Sequence, residues 1–322
     1  MGNKVLIGVD IGGTKTAVVI SEEPPDALGR IEFPTRPAKG PRPAVELIKR
    51  GIHQLLAQRG LDASSIAAIG ISCGGPLDRL RGIIQTPPNL RTWVNVPVKS
   101  VMEAEFGAVC RVENDANAGA VAEHRFGAGQ GCNHMVFLTM GTGLGAGVII
   151  DGRLYHGAVD LAGEIGHVRL TRTGPVGHNK AGSAEGWASG GGMAQVGERL
   201  VRAAMKRREK TLLAELVRKG KSVTARDVRA AAERGDPVAI CIIQSTGKRL
   251  GAVLAILVDV LNPDRIVIGG LAMRLGDNLW KPALDVLQQE ALEPSVAACK
   301  VVPAVLGERI GDVAALCVAM GF

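Results

Sequence analysis

Aromatic side chains make up only 3% of the 322 residues. That scarcity argues against a nucleic-acid binder built on stacking platforms, even though the chain carries a net charge of +7. The six cysteines (73, 110, 132, 241, 299 and 317) are scattered and form no Cys-x-x-Cys pair. A disulfide frame is therefore not expected, and reduced thiols in a cytoplasmic location are. Long apolar runs are missing too. The longest candidate, 250–260, is broken by Asp259, and none reaches the length of a membrane span. The first residues pass straight into a strand-like run, 4–10, without a signal-peptide pattern. What remains is an apolar fraction of 46% and a charged fraction of 21%, the balance of a globular chain long enough for two domains. One excess stands out: eleven Lys/Arg against three Asp/Glu between Arg199 and Arg229. A solvated basic helix pair accounts for it, with a general pull on anionic substrates as a by-product.

Glycine is abundant, at 43 residues, and it is concentrated in turns. "GVDIGGTKTAVVIS" (8–21) resembles a P-loop in composition, but its order is Gly-Thr-Lys where a P-loop needs Gly-Lys-Ser/Thr. A P-loop also runs into a helix, because phosphate is held by helix N–H groups. The residues after Lys15 are β-branched and read as a strand. Gly12-Gly13 is then a turn between antiparallel strands, able to aim backbone N–H groups and the Thr14 hydroxyl at a phosphate, or else a plain hairpin. Asp10, at the end of the first strand, could hold Mg²⁺ through water. "TMGTGLGAG" (139–147) poses the same question. It nearly matches the dinucleotide fingerprint, but a hairpin follows it, not a helix, which excludes a Rossmann site. Two strand–glycine–strand turns point to a nucleotide held from two halves.

Hydrophobic periodicity predicts strands over 5–10, 16–21, 66–72, 110–113, 134–140 and 265–268. It predicts helices over 44–58, 98–106, 116–126, 189–208, 212–219, 224–233, 236–261 and 311–320. Asp151-Gly152 between apolar runs signals a hairpin. Both halves open with strand, glycine turn, strand, which reads as a weak internal duplication. "ENDAN" places Asn114 and Asp115 at a strand end before a helix; spacing alone favours an N-cap over a reactive carboxylate.

The ordered stretches "DIGGTK", "ISCGGPLD", "TPPNL", "ENDANAGAVAEHRFGAG", "TMGTGLGAGVIIDGRLYHG", "AGEIGH", "EGWASGG" and "LNPDRIVIGG" resemble the ROK (repressor, open reading frame, kinase) family of sugar kinases over nearly the whole chain. The resemblance implies an α/β, actin/hexokinase-like (ribonuclease H-like) two-domain fold with a central cleft. The expected small domain is 1–117 plus 307–322, and the large one 118–306. It also implies ATP-dependent phosphorylation of a hexose at its 6-hydroxyl, glucose first, with Asp115 as general base. Fructose, mannose, an N-acetylhexosamine, or polyphosphate as donor are alternatives. So is a sugar-sensing regulator, although those carry a DNA-binding domain in front and this chain starts three residues before its first strand.

In the same terms, the sugar ligands are Gly75, Asn89, Asn114, Asp115, Glu164, His167 and Glu185. The ATP site comprises Asp10, Gly12, Gly13, Thr14, Lys15, Thr142, Gly143, Gly269 and Gly270, with Mg²⁺ on Asp10 through water. A homodimer is implied; membrane and nucleic-acid partners are not. Many family members hold a structural zinc with one His and three Cys. Here Val176, His178 and Ser183 stand where the cysteines would be. Valine and serine are not zinc ligands, so no zinc is expected.

Overall fold

Two five-stranded sheets carry the fold, and they share one strand order. The structure is a computed structural model describing residues 4–322. In chain order it forms β1 (Val5–Ile11), β2 (Lys15–Ser21), β3 (Gly29–Pro34), α1 (Pro41–Ala57), β4 (Ile66–Cys73), the short β5 (Leu77–Asp78) and β6 (Ile83–Ile84), α2 (Val98–Phe106), β7 (Val109–Asn114) and α3 (Asp115–Phe126). Then come β8 (Met135–Met140), β9 (Leu144–Ile150), β10 (Arg153–Leu154), β11 (Val176–Gly177), β12 (Lys180–Ala181), α4 (Ala184–Ala188), α5 (Gly190–Lys206), α6 (Ala214–Arg218), α7 (Ala225–Glu233) and α8 (Pro237–Leu261). The chain closes with β13 (Arg265–Gly270), α9 (Asp277–Glu290), α10 (Glu293–Ala298), β14 (Lys300–Pro303) and α11 (Ile310–Met320).

The first sheet runs β3-β2-β1-β4-β7, with β1, β2 and β3 antiparallel and β4 and β7 joining in parallel. The second runs β10-β9-β8-β13-β14, with β13 parallel to both β8 and β14. The duplication read from the glycine turns therefore extends to whole sheets. By contacts, one compact unit takes residues up to 131 with 147–162 and 305–322, and the other takes 132–146 and 163–304. These borders differ from the expected ones. A border at 117/118 would cut α3, which is one helix and stays whole in the first unit. Its buried Glu123 ties it to the returning chain, accepting hydrogen bonds from the N–H groups of Leu306 (3.0 Å) and Ala128 (2.8 Å).

Each unit has its own core. In the first, Ile7, Val9, Ile69 and Ile71 of the sheet meet Ile48, Ile52 and Leu55 of α1. In the second, Leu138, Ile266 and Ile268 meet Ile242, Leu250 and Leu254 of α8. Helix α8 corrects the reading of apolar runs: at 25 residues it is long and apolar enough to cross a membrane by length and composition. Its apolar face belongs to the core, with Ile243, Val253 and Val258 at most 1% exposed, so the same composition serves as a core helix. Hydrophobic periodicity did not mark β3, α9, α10 or β14. β3 alternates half-buried and exposed side chains over six residues beside two proline loops, and α9 carries Pro282 inside it.

Helix α11 packs on the first sheet where β1 and β4 pair Gly8 with Gly70. A Cβ on Gly70 would sit 2.1 Å from the Ala319 nitrogen and 2.2 Å from the Ala315 carbonyl oxygen. Only glycine admits so close an approach of helix to strand.

Candidate active site

In the first unit, the C-terminal ends of three parallel strands line up, the edge where ligands bind in α/β sheets. Asp10 of β1 pairs with Ser72 of β4, which pairs with Glu113 of β7; one step on, Ile11, Cys73 and Asn114 form the next row. Asn114 is the N-cap of α3: its Oδ1 accepts from the N–H groups of Ala116 (2.9 Å) and Asn117 (3.4 Å). That leaves Asp115 as the first helical residue, exposed, with Oδ1 accepting from the Ala116 N–H at 2.8 Å. The two readings of "NDAN" thus fall on different residues. A carboxylate in the first turn is favoured by the helix dipole.

Asp10 and Asp115 feel each other. Burial, then the Asp115 and Asp312 carboxylates, push Asp10 up to about 7. Gly311, at the start of α11, abuts Asp10: a Cβ there would lie 2.3 Å from Asp10 Oδ2. Burial, with the charges of Asp115 and Asp10, also raises the Cys73 thiol. A half-buried carboxylate near two more is an environment that a hard cation would relieve, and Mg²⁺ needs only one protein carboxylate with water and phosphate around it, so Asp10 by itself fits that ion.

The first glycine turn is closed by the Gly12 N–H to the Lys15 carbonyl (3.0 Å). Thr35, just beyond β3, donates its hydroxyl to the Gly12 carbonyl (2.7 Å) and its N–H to the Thr14 carbonyl (3.0 Å). Gly13 packs on Asn89, since a Cβ there would meet Asn89 Cβ at 2.6 Å, and Gly75 packs on Asn114. Gly13, Asn89, Gly75, Asn114, Asp115 and Asp10 thus gather at one edge of the sheet. Lys15 does not join them: its Nζ pairs with Glu32 at 2.9 Å on the exposed β2–β3 ladder.

Sequence reasoning missed the support beneath this edge. Glu113, 3% exposed, accepts hydrogen bonds from the Asn114 N–H (2.9 Å) and Asn117 Nδ2 (3.0 Å), and pairs with His156 Nε2 (2.9 Å). Its place in "ENDAN" was the available signal, but only the strand's direction shows that it faces inward.

In the second unit, the turn after β8 is held differently. The Gly141 carbonyl accepts from the Gly190 N–H (2.8 Å) and the Thr142 carbonyl from the Gly191 N–H (3.0 Å), so the start of α5 holds the turn. Glu185 Oε2 accepts the Leu144 N–H at 3.1 Å and sits where a Gly143 Cβ would be. Gly166 packs on Glu185 in turn. Gly269 and Gly270 end β13 beside Thr139 and Met140. Gly270 has φ +75°, and a Cβ there would lie 2.3 Å from the Met140 carbonyl oxygen.

Glu164 is exposed, 3.8 Å from His167 Nε2. The His167 ring meets His178 edge-on at 4.5 Å. His178 and Asn179 both have positive φ (45° and 62°) and form the two-residue turn of the β11–β12 hairpin, as a type I′ turn requires. Gln195 clasps this hairpin through both backbone groups of Val176, at 2.9 and 2.8 Å. Among the described residues, no group of three or more His, Cys, Asp or Glu side chains could hold a metal.

The ROK family sequence model matches residues 6–320. The chain belongs to the ROK family. The glucokinase of Halalkalibacterium halodurans is 32% identical over 299 residues, covering 92% of this chain and 89% of its own. A structure of the ROK-family glucokinase of Streptomyces griseus with glucose and AMPPNP superposes with a TM-score of 0.80 at 31% identity, covering 99% of this ROK protein and 100% of that chain. The xylose repressor of Caldicellulosiruptor bescii is 27% identical, over 89% of this chain and 70% of its own. The fold of this ROK protein is accordingly the actin/hexokinase-like α/β fold.

Proposed function

We propose that this protein is a hexose kinase that transfers the γ-phosphoryl group of ATP to a sugar 6-hydroxyl, with glucose as the first candidate acceptor. The observation that carries this reading is the division of labour at α3: Asn114 caps the helix, and Asp115 presents an exposed carboxylate in its first turn. Asp115 accepts the hydroxyl proton as the oxygen attacks the γ-phosphorus, and ADP leaves. Phosphoryl transfer asks little more of a protein than positioning and charge stabilisation.

Asn114, Asn89 and Gly75 are assigned to the sugar, as are Glu164, His167 and Glu185 of the second unit, because carboxylates and imidazole suit hydroxyls that both donate and accept. Gly12, Gly13, Thr14, Thr142 and Gly143 are assigned to the phosphates. Gly269 and Gly270 are assigned to the adenosine, where a side chain would block backbone approach. Asp10 would hold Mg²⁺ through water, and the ion would neutralise charge on the phosphates. Lys15, tied to Glu32, would act on phosphate only after leaving that ion pair. Cytoplasmic location and a homodimer go with this reading.

The test is Asp115→Asn assayed with ATP, Mg²⁺ and a hexose panel. Turnover is expected to fall by about 10³-fold while the melting temperature and nucleotide binding stay near those of the unmodified protein. Turnover within a few-fold of the unmodified protein would sink the assignment. A hexose bound with no transfer at all by the unmodified protein would place it among sugar sensors.

A further inference from the structure

We propose that the second unit carries an anion pocket, separate from the residues assigned above, that takes a small phosphate ester or phosphate itself. The pocket has a volume of about 570 Å³ and lies between α5, α8 and the 171–175 loop, a size that suits a small ligand. Its floor is the indole of Trp187. Arg249 of α8 places its guanidinium carbon 4.6 Å from the ring centroid, and Arg199 of α5 places its own at 5.9 Å. Stacking on an indole orients a guanidinium and leaves its N–H edge for a ligand.

Two like charges share one ring here, and no carboxylate lines the pocket. Four other cations of the basic stretch have acidic partners: Arg202 with Glu198, Arg207 with Glu209, Lys219 with Glu215 and Arg229 with Glu233. The rest, Lys206, Arg208, Lys210, Arg218, Lys221 and Arg226, are exposed to solvent and do not line this pocket. Among the described residues neither Arg199 nor Arg249 has an ion pair. A like-charged pair in a walled pocket is relieved by a bound anion.

The wall is built in advance. The Trp187 Nε1–H donates to Thr171 Oγ1 at 2.7 Å. Gly174 lies against the ring so closely that a Cβ there would be 2.6 Å from it. Gln195, which also lines the pocket, is pinned to Val176 beside the same loop. A phosphoryl group has three oxygens, enough to accept from two guanidinium forks and still meet a hydroxyl such as Thr173; a carboxylate is filled by one fork. Phosphoryl chemistry is therefore the match.

Isothermal titration of the full chain with inorganic phosphate and with glycerol 3-phosphate tests this, with tryptophan emission as a second readout and glycerol as uncharged control. Glycerol 3-phosphate is neither substrate nor product of the proposed kinase, so a failure here leaves that reading intact. Saturable one-to-one binding that perturbs emission is expected, at least about tenfold weaker in Arg199→Gln and in Arg249→Gln. Saturation by phosphate as well as by the ester would assign the site to the phosphoryl group alone; saturation by the ester alone would assign it to the ester. Arg199 is exposed on α5, so its variant keeps the test decisive if the Arg249 variant melts early. No saturation with either probe, or an affinity in both variants equal to that of the unmodified protein, overturns the proposal.

Discussion

The two sheets share a strand order but not an interior. Counting back from the two glycine turns, Gly8 and Gly70 of the first sheet correspond to Phe137 and Val267 of the second. The first sheet leaves a bare stripe on which α11 lies against the backbone, while the second fills the same positions with large side chains, 2% and 0% exposed. The strand ends differ in charge as well. Asp10 precedes the first turn, and the neutral Thr139 stands at the matching place before the second. One topology can thus be kept while one copy is specialised to approach a helix closely and to carry an acid.

The sharpest break in this comparison is at the stripe. Gly70→Ala is expected to lower unfolding free energy by about 3 kcal/mol, because backbone and not a flexible side chain occupies the space. Val267→Ala, at the matching position, should cost about 2 kcal/mol through the cavity it leaves. Denaturant titration of both would measure this. Equal or reversed effects would mean that the stripe does not set the α11 contact.

Next comes the acid. Asp10→Asn should reduce kinase turnover by about 10²-fold through loss of the charge near the phosphates, yet stabilise the unliganded protein at high pH. The folded chain holds a proton on Asp10 up to about pH 7, whereas the unfolded chain releases it near the ordinary value of 3.8. Stability contributed by this group therefore falls as pH rises from about 4 to 7, and the full penalty remains above that window. At pH 8 the asparagine variant should be more stable by about 4 kcal/mol, with the gain vanishing below about pH 4. Melting curves across pH decide it; a gain that does not depend on pH would refute the account.

The smallest effects concern what holds each turn. Glu185→Gln removes the charge that accepts the Leu144 N–H, and the hexose KM should rise about tenfold with kcat little changed. Thr35→Val leaves the Gly12 carbonyl without its hydroxyl donor and should cost about 1 kcal/mol of stability, with little change in KM. A KM effect from Thr35→Val as large as that from Glu185→Gln would erase the distinction between the two turns.

Much of the candidate site lies at turns, where glycine, aspartate and asparagine leave strong marks in the sequence. Gly12-Gly13, Gly141–Gly143 and "NDAN" all mark real breaks between elements. What was not legible lies in contacts between segments far apart in the chain. Nothing local in "FPTRP" says that Thr35 reaches the Gly12 carbonyl, and nothing in "SGGG" says that Gly190 and Gly191 hold the second turn. The expected domain border falls inside a helix for the same reason. Residue 117 lies beside a change of motif, but α3 is held whole by the Glu123 bonds to residues 128 and 306.

The order and type of most elements, the two glycine turns and the family all follow from the sequence alone, because periodicity, turn chemistry and motif spacing are properties of neighbouring residues. Only the tertiary structure decided that Asp10 titrates near neutrality, that α11 rests on bare backbone, and that two arginines from different helices converge on Trp187. Burial, close approach and charge proximity are set by which distant segments the folded chain brings side by side.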